Sequence, residues 1–434
     1  MKSGSETIVA PASGSGRSAI AVFRISGDAA EEVVQAVLAD APLPVPRRAA
    51  VRTLRDPETK APIDQALVLW MPGPSSFTGE DVVELHTHGG SAVRTAVLRA
   101  LLATRSCRLA EPGEFTRRAF LHGRLDLTAA EGLADLIDAE TEAQRRQAFR
   151  QLEGALSVRV ERWRDRLLEA SALLVAGLDF SDEGDVADDL DAPAMALMAS
   201  VEGEIAGLLR SDGRGERLRD GFAVAIAGPP NAGKSTLLNA IAKRDVAIVS
   251  PQPGTTRDPI EVRCDLDGLP VLLVDTAGLR DTADVVEQAG ISRALDRMRT
   301  ADLVLWLRPP DGEGPPPSTS TTLVVDTKAD LAEGSGTALA VSAVTGAGMD
   351  ALLGAIREAA EGALGSGDSV ITRERHRAAL TDAARHLARA REAGAPELVA
   401  DDLRSALRSL EALLGRVDVE DVLGRVFSSF CIGK

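Results

Sequence analysis

Residues 228–235 read Gly-Pro-Pro-Asn-Ala-Gly-Lys-Ser and match the phosphate-binding pattern G-x-x-x-x-G-K-[ST]. An apolar run at 222–227 comes before them and predicts a buried strand, and a helical pattern follows at 236–241. In this strand–loop–helix context, backbone N–H groups and a helix N-terminus point at phosphate oxygens. We expect Lys234 to reach the β- and γ-phosphates of a nucleotide and Ser235 to hold Mg²⁺. This part of the chain is therefore constrained to a nucleotide-binding α/β fold.

Two downstream segments carry further phosphate and metal contacts. The polar stretch Gly-Thr-Thr-Arg-Asp at 254–258 is expected to close over the γ-phosphate, with Thr256 as a second hydroxyl on Mg²⁺. A strand predicted at 271–274 ends in Asp-Thr-Ala-Gly. Asp275 is expected to hold the metal through water, and the Gly278 N–H to sense the γ-phosphate.

A third segment predicts which base is bound. A strand predicted at 323–325 is followed by Thr327-Lys328-Ala329-Asp330. The Asp330 carboxylate can accept hydrogen bonds from guanine N1–H and its 2-amino group, and adenine offers neither donor there, so GTP is favoured over ATP. Thr327 departs from the usual N-K-x-D pattern, which leaves an ATPase as an alternative that nucleotide competition would decide. The nucleotide contacts predicted in this way are Asn231, Ala232, Gly233, Lys234, Ser235, Thr236, Ser250, Thr255, Thr256, Asp275, Thr276, Ala277, Gly278, Thr327, Lys328, Asp330, Ser342 and Ala343.

The hydrolytic machinery departs from the Ras-like pattern. Leu279 stands where Ras-like enzymes have a water-positioning glutamine, and leucine cannot orient water. Glu287 is a candidate for that task, and the alternative is a solvated helix position. The Asn231 side-chain oxygen, with carbonyls from 250–255, could hold a monovalent cation that supplies positive charge beside the phosphates.

The rest of the 434 residues divides by composition. Residues 1–120 alternate short β-like runs (7–10, 19–25, 65–70 and 82–87) with helices, which indicates an α/β or α+β module. Residues 121–216 and 366–434 read as amphipathic helices, and they flank a G domain at 217–365. We therefore predict a G domain with a Ras-like parallel sheet, inserted into an all-α helical domain.

Composition also argues against several classes of protein. The net charge of −16 argues against a general nucleic-acid binder, because phosphate neutralisation requires clustered Lys and Arg. No uninterrupted apolar stretch reaches 18 residues, so no membrane span is expected. Three widely separated cysteines, Cys107, Cys264 and Cys431, indicate a reducing and hence cytoplasmic setting.

The motifs taken together resemble the MnmE (TrmE) family of bacterial tRNA-modification GTPases. The resemblance is carried by Phe-Cys-Ile-Gly-Lys at 430–434, the loop at 228–235, the stretch at 254–258 and Asp-Thr-Ala-Gly-Leu-Arg at 275–280. It continues through residues 7–10, 23–27, 76–81, 112–115, 125–127 and 134–139. Nearly the whole chain is covered.

The resemblance implies a fold and a function. The fold has an N-terminal module that binds 5-formyl-tetrahydrofolate and forms a homodimer, a helical domain and an inserted G domain. The function is K⁺-dependent GTP hydrolysis in the cytoplasm. With a flavin-containing partner (MnmG, also called GidA) in a heterotetramer, the family adds an aminomethyl-type group to C5 of the wobble uridine of certain tRNAs. The alternative is a GTP-dependent assembly or switch protein, which would ignore folate.

The resemblance also implies roles for individual residues. Folate would contact Arg24, Glu84, Lys434 and Arg124, where the family often has lysine. Glu287 would orient the attacking water, and Cys431 would act in the modification step or be a buried small hydrophobe. The implied metal ligands are Ser235 and Thr256 for Mg²⁺, and Asn231, Ser250, Gln252 and Thr255 for K⁺.

Overall fold

The structure is a computed structural model. It describes residues 6–14, 16–38, 41–179, 191–210, 213–248, 261–275, 298–311, 321–331, 339–365, 369–393, 395–417, 420–428 and 430–433. The chain forms two compact units, one of Met1–Ala134 with Glu411–Lys434, and one of Asp135–Leu410.

The first unit is built on a six-stranded sheet in the order β3-β4-β5-β2-β1-β6. Its pairs are antiparallel except for β1 with β6. The four strands predicted in this region are confirmed, with ends that differ by at most three residues. The strand β3 was not predicted, because its alternating sequence Ala-Val-Arg-Thr-Leu-Arg carries two arginines. The strands are β1 (Ile8–Pro11), β2 (Ser18–Ser26), β3 (Ala50–Arg55), β4 (Pro62–Met71), β5 (Val82–Gly89) and β6 (Arg108–Leu109).

Side-chain alternation separates the two faces of this sheet. Helices α1 (Ala30–Leu38) and α2 (Ser91–Ala103) cover the face that carries Phe23 and Ile25, both fully buried. The intervening Arg24 therefore projects from the opposite face. That second face has its own small apolar cluster, made of Ile8, Ala10, Ala110 and Phe115.

The first unit is completed by helices from both ends of the chain. Helix α3 (Glu114–Leu121) packs against α13 (Glu420–Ser428), and the rings of Phe120 and Phe427 lie 6.3 Å apart. A Cβ at Gly113 would lie 2.4 Å from the Phe427 carbonyl oxygen, so glycine permits this close approach. Helices α4 (Leu127–Asp138) and α12 (Pro396–Leu414) each cross the boundary between the two units.

The second unit contains the nucleotide-binding sheet, in the order β12-β11-β10-β7-β9-β8. All pairs are parallel except the edge strand β8, which is antiparallel to β9 and was not predicted. Helices α9 (Lys234–Ala242) and α10 (Met349–Leu364) pack on the sheet, and the strands predicted at 222–227, 271–274 and 323–325 are confirmed. The strands are β7 (Phe222–Ala227), β8 (Glu261–Leu266), β9 (Leu269–Asp275), β10 (Leu303–Arg308), β11 (Thr322–Asp326) and β12 (Leu339–Ala340).

The remaining helices of this unit are α5 (Glu142–Leu152), α6 (Ser157–Asp179), α7 (Asp191–Leu209), α8 (Arg214–Asp220) and α11 (Glu374–Glu392). In α7 the window Ala192–Leu209 has mean hydropathy 1.3, long and apolar enough by length and composition to cross a membrane. Its buried residues lie on one side, however, and α7 packs against α6 and α11. Glu204 of α7 accepts a hydrogen bond from the Trp163 indole of α6 at 2.8 Å. We therefore interpret α7 as a bundle helix.

A polar face of α5 holds the two chain segments that enter and leave the nucleotide-binding sheet. Gln147 donates to the Gly215 carbonyl at 3.1 Å, and one turn later Gln151 accepts from the Thr372 hydroxyl at 3.2 Å. The two segments touch, because a Cβ at Gly215 would lie 2.0 Å from the Ile371 carbonyl oxygen. This backbone crossing thus helps to anchor the sheet to the helices.

We predict that Gly215→Ala lowers the free energy of unfolding by about 1–3 kcal/mol, because the added methyl overpacks the backbone crossing. Gly203→Ala is the matched control. Gly203 lies in helix α7 with open space around it, so alanine there should raise stability by about 0.5–1 kcal/mol. Chemical denaturation followed by circular dichroism measures both. If the two substitutions change the free energy of unfolding equally, the close contact between Gly215 and Ile371 is contradicted.

Candidate functional site

The phosphate-binding loop lies between β7 and α9, as the sequence pattern predicted. Gly228 has φ 150°, and a Cβ there would lie 2.5 Å from the Leu307 carbonyl oxygen of the neighbouring strand, so only glycine fits. Asn231 and Gly233 have φ 61° and 91°, and these left-handed turns curl the loop into the start of α9. The Lys234 ammonium donates to the carbonyls of Gly228 and Pro229 at 2.8 and 2.9 Å. It therefore lies across the mouth of the loop, where the phosphates of a nucleotide would bind.

Two of the predicted metal-site residues lie together. The Ser235 hydroxyl donates to a carboxylate oxygen of Asp275 at 2.7 Å, and Asp275 is buried. Ser235 begins the first turn of α9, and Asp275 ends β9, so parallel pairing of β7 with β9 places them side by side. Hydroxyl and carboxylate oxygens are ligands that suit Mg²⁺, directly or through water. The donor set present therefore fits that ion.

The residues predicted to bind the base line a cavity of about 230 Å³ next to the phosphate-binding loop. Three segments of the chain line it, namely the phosphate-binding loop with the start of α9, the segment after β11 and the segment after β12. The lining includes Ala232, Thr236, Thr327, Lys328, Asp330 and Ala343. The Ser342 hydroxyl donates to Asp330 at 2.6 Å and so orients the carboxylate. Lys328 has φ 59°, which turns the chain sharply between Thr327 and Asp330.

Thr327 contacts the phosphate-binding loop. Its hydroxyl donates to the Ala232 carbonyl at 2.8 Å in a buried position. The shorter side chain in place of asparagine thus keeps a bond between the base-binding segment and the phosphate loop.

Several predicted site residues lie outside the described residues, and their roles stay predictions. They are Ser250, Gln252, Thr255, Thr256, Thr276, Ala277, Gly278, Glu287 and Lys434. For K⁺ only Asn231 is described among the implied ligands, and it is exposed on the loop. An accessible amide oxygen there fits an alkali ion.

A second candidate site lies on the open face of the sheet in the first unit. Arg24 and Glu84 are directly opposite each other on β2 and β5, and they form an ion pair of 2.9 Å. The Arg24 guanidinium lies over two rings, 5.5 Å from the centre of Phe77 and 5.7 Å from that of Phe115. His86, two residues from Glu84 on the same strand, contacts the same carboxylate at 3.4 Å.

A buried ion-pair network supports this second site from below. Glu114, at the start of α3, accepts hydrogen bonds from Arg108 at 2.7 Å and Arg118 at 2.9 Å. Arg118 also bonds Glu80, which accepts from the Ser26 hydroxyl at 2.7 Å. Burial opposes ionisation of Glu114, but the bonds from Arg108, the Glu111 N–H and Arg118 outweigh it and lower the pKa of its carboxyl to about 2. The next residue, Phe115, is thereby held against Arg24.

The C-terminal tail docks beside the same strands. Ile432 forms an antiparallel bridge with Pro112, and Gly433 has φ 101°. A Cβ at Gly433 would lie 2.2 Å from the Pro11 carbonyl oxygen, so the tail packs directly on the end of β1. Pro11 is one residue from Ala10, which pairs with Arg24.

The last two candidates of the first unit are both exposed. Cys431 is exposed within the docked tail, so the alternative of a buried small hydrophobe is wrong. Arg124 is exposed after α3, where its N–H donates to the Ala119 carbonyl at 2.8 Å.

Sequence reasoning missed three parts of the second site, namely Phe77, His86 and the network around Glu114. Because side chains alternate between the two faces of the sheet along β5, the sequence could have placed His86 on the same face as Glu84. Nothing local could have placed the two rings, because Phe77 comes from the loop between β4 and β5 and Phe115 comes from helix α3.

Comparison with known proteins covers the whole chain. Residues 7–124 match the family model "GTP-binding protein TrmE N-terminus", and residues 127–431 match "MnmE helical domain". The "tRNA modification GTPase MnmE" of Methylobacterium sp. (strain 4-46) is 60% identical, covering 99% of this chain and 100% of the relative. The proteins of that name from Methylorubrum populi and Rhodopseudomonas palustris (strain CGA009) are 59% and 53% identical, each over 99% of this chain and 98% and 99% of their own.

Among solved structures, the G domain of the T. maritima FeoB iron transporter is 25% identical over 32% of this chain and 98% of its own, with a TM-score of 0.23. That score is too low to support an argument, so the assignment depends on the sequence matches.

We predict that Glu114→Gln lowers the free energy of unfolding by about 2 kcal/mol at neutral pH. This is less than the roughly 3–5 kcal/mol of a fully buried pair, because the Arg108 side chain is 40% exposed. The folded pKa of Glu114 is lower than its ordinary value of 4.5, so its contribution is complete above pH 4.5 and is lost as the pH falls towards 2. Wild type and Glu114→Gln should therefore converge in acid.

Glu142→Gln is the control for this measurement. Hydrogen bonds from Arg145 and Arg146 also lower the pKa of Glu142 to about 2, but the group is solvent-exposed and screened. Thermal unfolding from pH 7 to pH 2 measures all three proteins. If Glu142→Gln destabilises the protein as much as Glu114→Gln does, the stabilising role of the Glu114 network is contradicted.

Proposed function

The chain belongs to the MnmE family and is a GTP hydrolase of tRNA modification, and from this we propose a more specific activity. We propose that it hydrolyses GTP with Mg²⁺ and K⁺ at the phosphates and, together with a flavoprotein, modifies C5 of the wobble uridine of certain tRNAs. A one-carbon folate such as 5-formyl-tetrahydrofolate is bound in the N-terminal unit.

The observation that carries the nucleotide part is one continuous pocket. Ala232 of the phosphate-binding loop and Asp330 of the base-binding segment line the same cavity of about 230 Å³. The Asp330 carboxylate in this lining suits a guanine base, and the loop residues Ala232 and Gly233 in the same lining come directly before Lys234, which would bind the phosphates. Asp330 would accept from the N1–H and 2-amino donors, which adenine lacks.

Different residues bind the phosphates, ligate the metal and orient the attacking water. Lys234 and the loop N–H groups bind the phosphates, and Ser235 with Thr256 would ligate Mg²⁺, while Asp275 accepts a hydrogen bond from Ser235. Bound Mg²⁺ supplies positive charge that stabilises the phosphate oxygens. Leu279 cannot orient water, so Glu287 takes that role.

The alkali ion stands in for a missing arginine finger. Asn231, Ser250, Gln252 and Thr255 would hold K⁺, and Asn231 is exposed on the loop where an ion would have access. Amide and carbonyl oxygens distinguish K⁺ from Na⁺ by cavity size and field strength.

The folate part is supported by the chemistry of the second site. The pterin ring of a folate carries an N–H and a 2-amino group like those of guanine, and the Glu84 carboxylate can accept from such donors. Phe77 and Phe115 offer apolar faces, and the Arg24 guanidinium beside Glu84 can donate a charge-assisted hydrogen bond to a pterin acceptor. Arg124 and Lys434 would add further positive charge. Cys431 is exposed in the tail beside this face, where it can reach a substrate.

An open apolar patch supports a homodimer. Val51 and Leu67 are paired across β3 and β4, and their exposed fractions are 63% and 38%. They lie in the sheet of the N-terminal unit, and a second copy would cover them. In the same proposal a flavoprotein partner in the cytoplasm binds most of the tRNA, because a chain of charge −16 is poorly suited to hold it alone.

We predict that GTP hydrolysis is at least about tenfold faster in K⁺ than in Na⁺, since the ion provides charge that an arginine would otherwise supply. Asn231→Ala should remove this preference. Glu287→Ala should lose turnover in both salts while still binding nucleotide. Phosphate release in matched chloride salts, with and without the flavoprotein, measures these rates. Equal rates for wild type in the two salts would exclude the cation role.

We predict that Arg24→Gln weakens binding of 5-formyl-tetrahydrofolate by about tenfold or more, because a charge-assisted contact is lost. Arg99→Gln is the matched control, since Arg99 lies exposed on α2, which covers the opposite face of the sheet. Calorimetric titration with the folate measures both, and thermal midpoints verify folding. Wild type that releases no heat would favour the assembly or switch protein.

A further inference from the structure

Thr327 joins the base-binding segment to the rest of the nucleotide site through both of its hydrogen-bond donors. Its hydroxyl donates to the Ala232 carbonyl at 2.8 Å, and its N–H donates to the Arg308 carbonyl at 2.9 Å. Thr327 is 7% exposed and Ala232 is fully buried, so water competes little for either bond. Neither proton of this residue is available to a ligand in this arrangement.

Guanine has hydrogen-bonding groups on two edges. The N1–H and 2-amino donors on one edge would face Asp330, while N7 and O6 on the other edge are acceptors. An asparagine at position 327 would carry two amide protons, so it could bond the phosphate loop and a guanine acceptor at the same time. Threonine has a single hydroxyl proton.

On the basis of the guanine site proposed above, we propose that Thr327 positions the base-binding segment against the phosphate loop and leaves guanine N7 without a hydrogen bond. Base selection then depends on Asp330, whose carboxylate is oriented by Ser342 at 2.6 Å. Thr327 acts through Ala232, so it is a positioning residue that sets which part of the base is recognised.

The shape of the pocket supports this assignment. Thr327 lines the same cavity as Ala232 and Asp330, which places it beside the ring of a base that Asp330 would hold. The left-handed turn at Lys328, with φ 59°, and the bond from the Ala329 N–H to the Val341 carbonyl at 3.1 Å hold the segment in place. The Thr327 hydroxyl therefore has a fixed partner.

Replacing N7 by a C–H group tests the proposal directly. The full-length protein is titrated calorimetrically with GDP and with 7-deaza-GDP, in Mg²⁺ and K⁺. We expect the two dissociation constants to agree within about twofold, because a neutral hydrogen bond to N7 would be worth roughly two- to tenfold. A fivefold or larger preference for GDP would overturn the proposal, whether the donor came from Thr327 or from Thr236 or Lys328 in the same lining.

Substitutions at position 327 separate positioning from recognition. Thr327→Asn should open the GDP preference to about fivefold, because it adds the second proton. Thr327→Val should weaken both nucleotides about tenfold at an unchanged ratio, since the buried Ala232 carbonyl loses its donor. Thr327→Ser keeps the hydroxyl and should therefore bind both nucleotides with the affinity of wild type. If Thr327→Asn binds GDP and 7-deaza-GDP with nearly equal dissociation constants, the placement of Thr327 beside N7 is overturned.

The outcomes also separate this inference from the guanine site itself. No heat with either nucleotide would overturn both proposals. GDP binding with strong discrimination against 7-deaza-GDP would overturn this one alone, and the guanine site would then still be tested by Asp330→Asn, which should switch preference to xanthosine diphosphate.

Discussion

Parallel strand pairing is the constraint on which the nucleotide site depends. Register places Ile226 beside Asp275, Trp306 beside Ala227, and Arg308 beside Asp326. The phosphate loop, Asp275 and the segment 327–330 each lie at one of these strand ends, so they meet at one edge of the sheet. Groups more than ninety residues apart thereby reach hydrogen-bond distance, as in the bond between Thr327 and Ala232.

In the N-terminal unit, the corresponding constraint is the alternation of side chains across an antiparallel sheet. One face of the sheet is covered by helices, and Arg24 and Glu84 pair across two strands on the other face. Those charges can remain partly buried because each has a partner. Below them, the Glu114 network fixes the start of α3 and with it the ring of Phe115.

Local pattern predicted much of this architecture. The phosphate loop and most strands were correct from sequence, since glycine spacing and apolar runs report backbone conformation directly. Strands β3, β6, β8 and β10 were not predicted. In the edge strands β3 and β8, polar residues weaken the apolar signal. Thr327 stands where the usual N-K-x-D pattern has asparagine. The hydroxyl still reaches the Ala232 carbonyl, and strand register determines that distance rather than residue type.

The sequence by itself determined which chemical groups the chain has: a glycine-shaped loop with Lys234, a carboxylate at Asp330 and a cysteine near the end. These are local properties, since backbone freedom and side-chain chemistry belong to each residue. Only the tertiary structure decided which groups meet, including Phe77 and Phe115 around Arg24. Such contacts depend on packing between distant segments, where a few ångströms separate a hydrogen bond from no interaction.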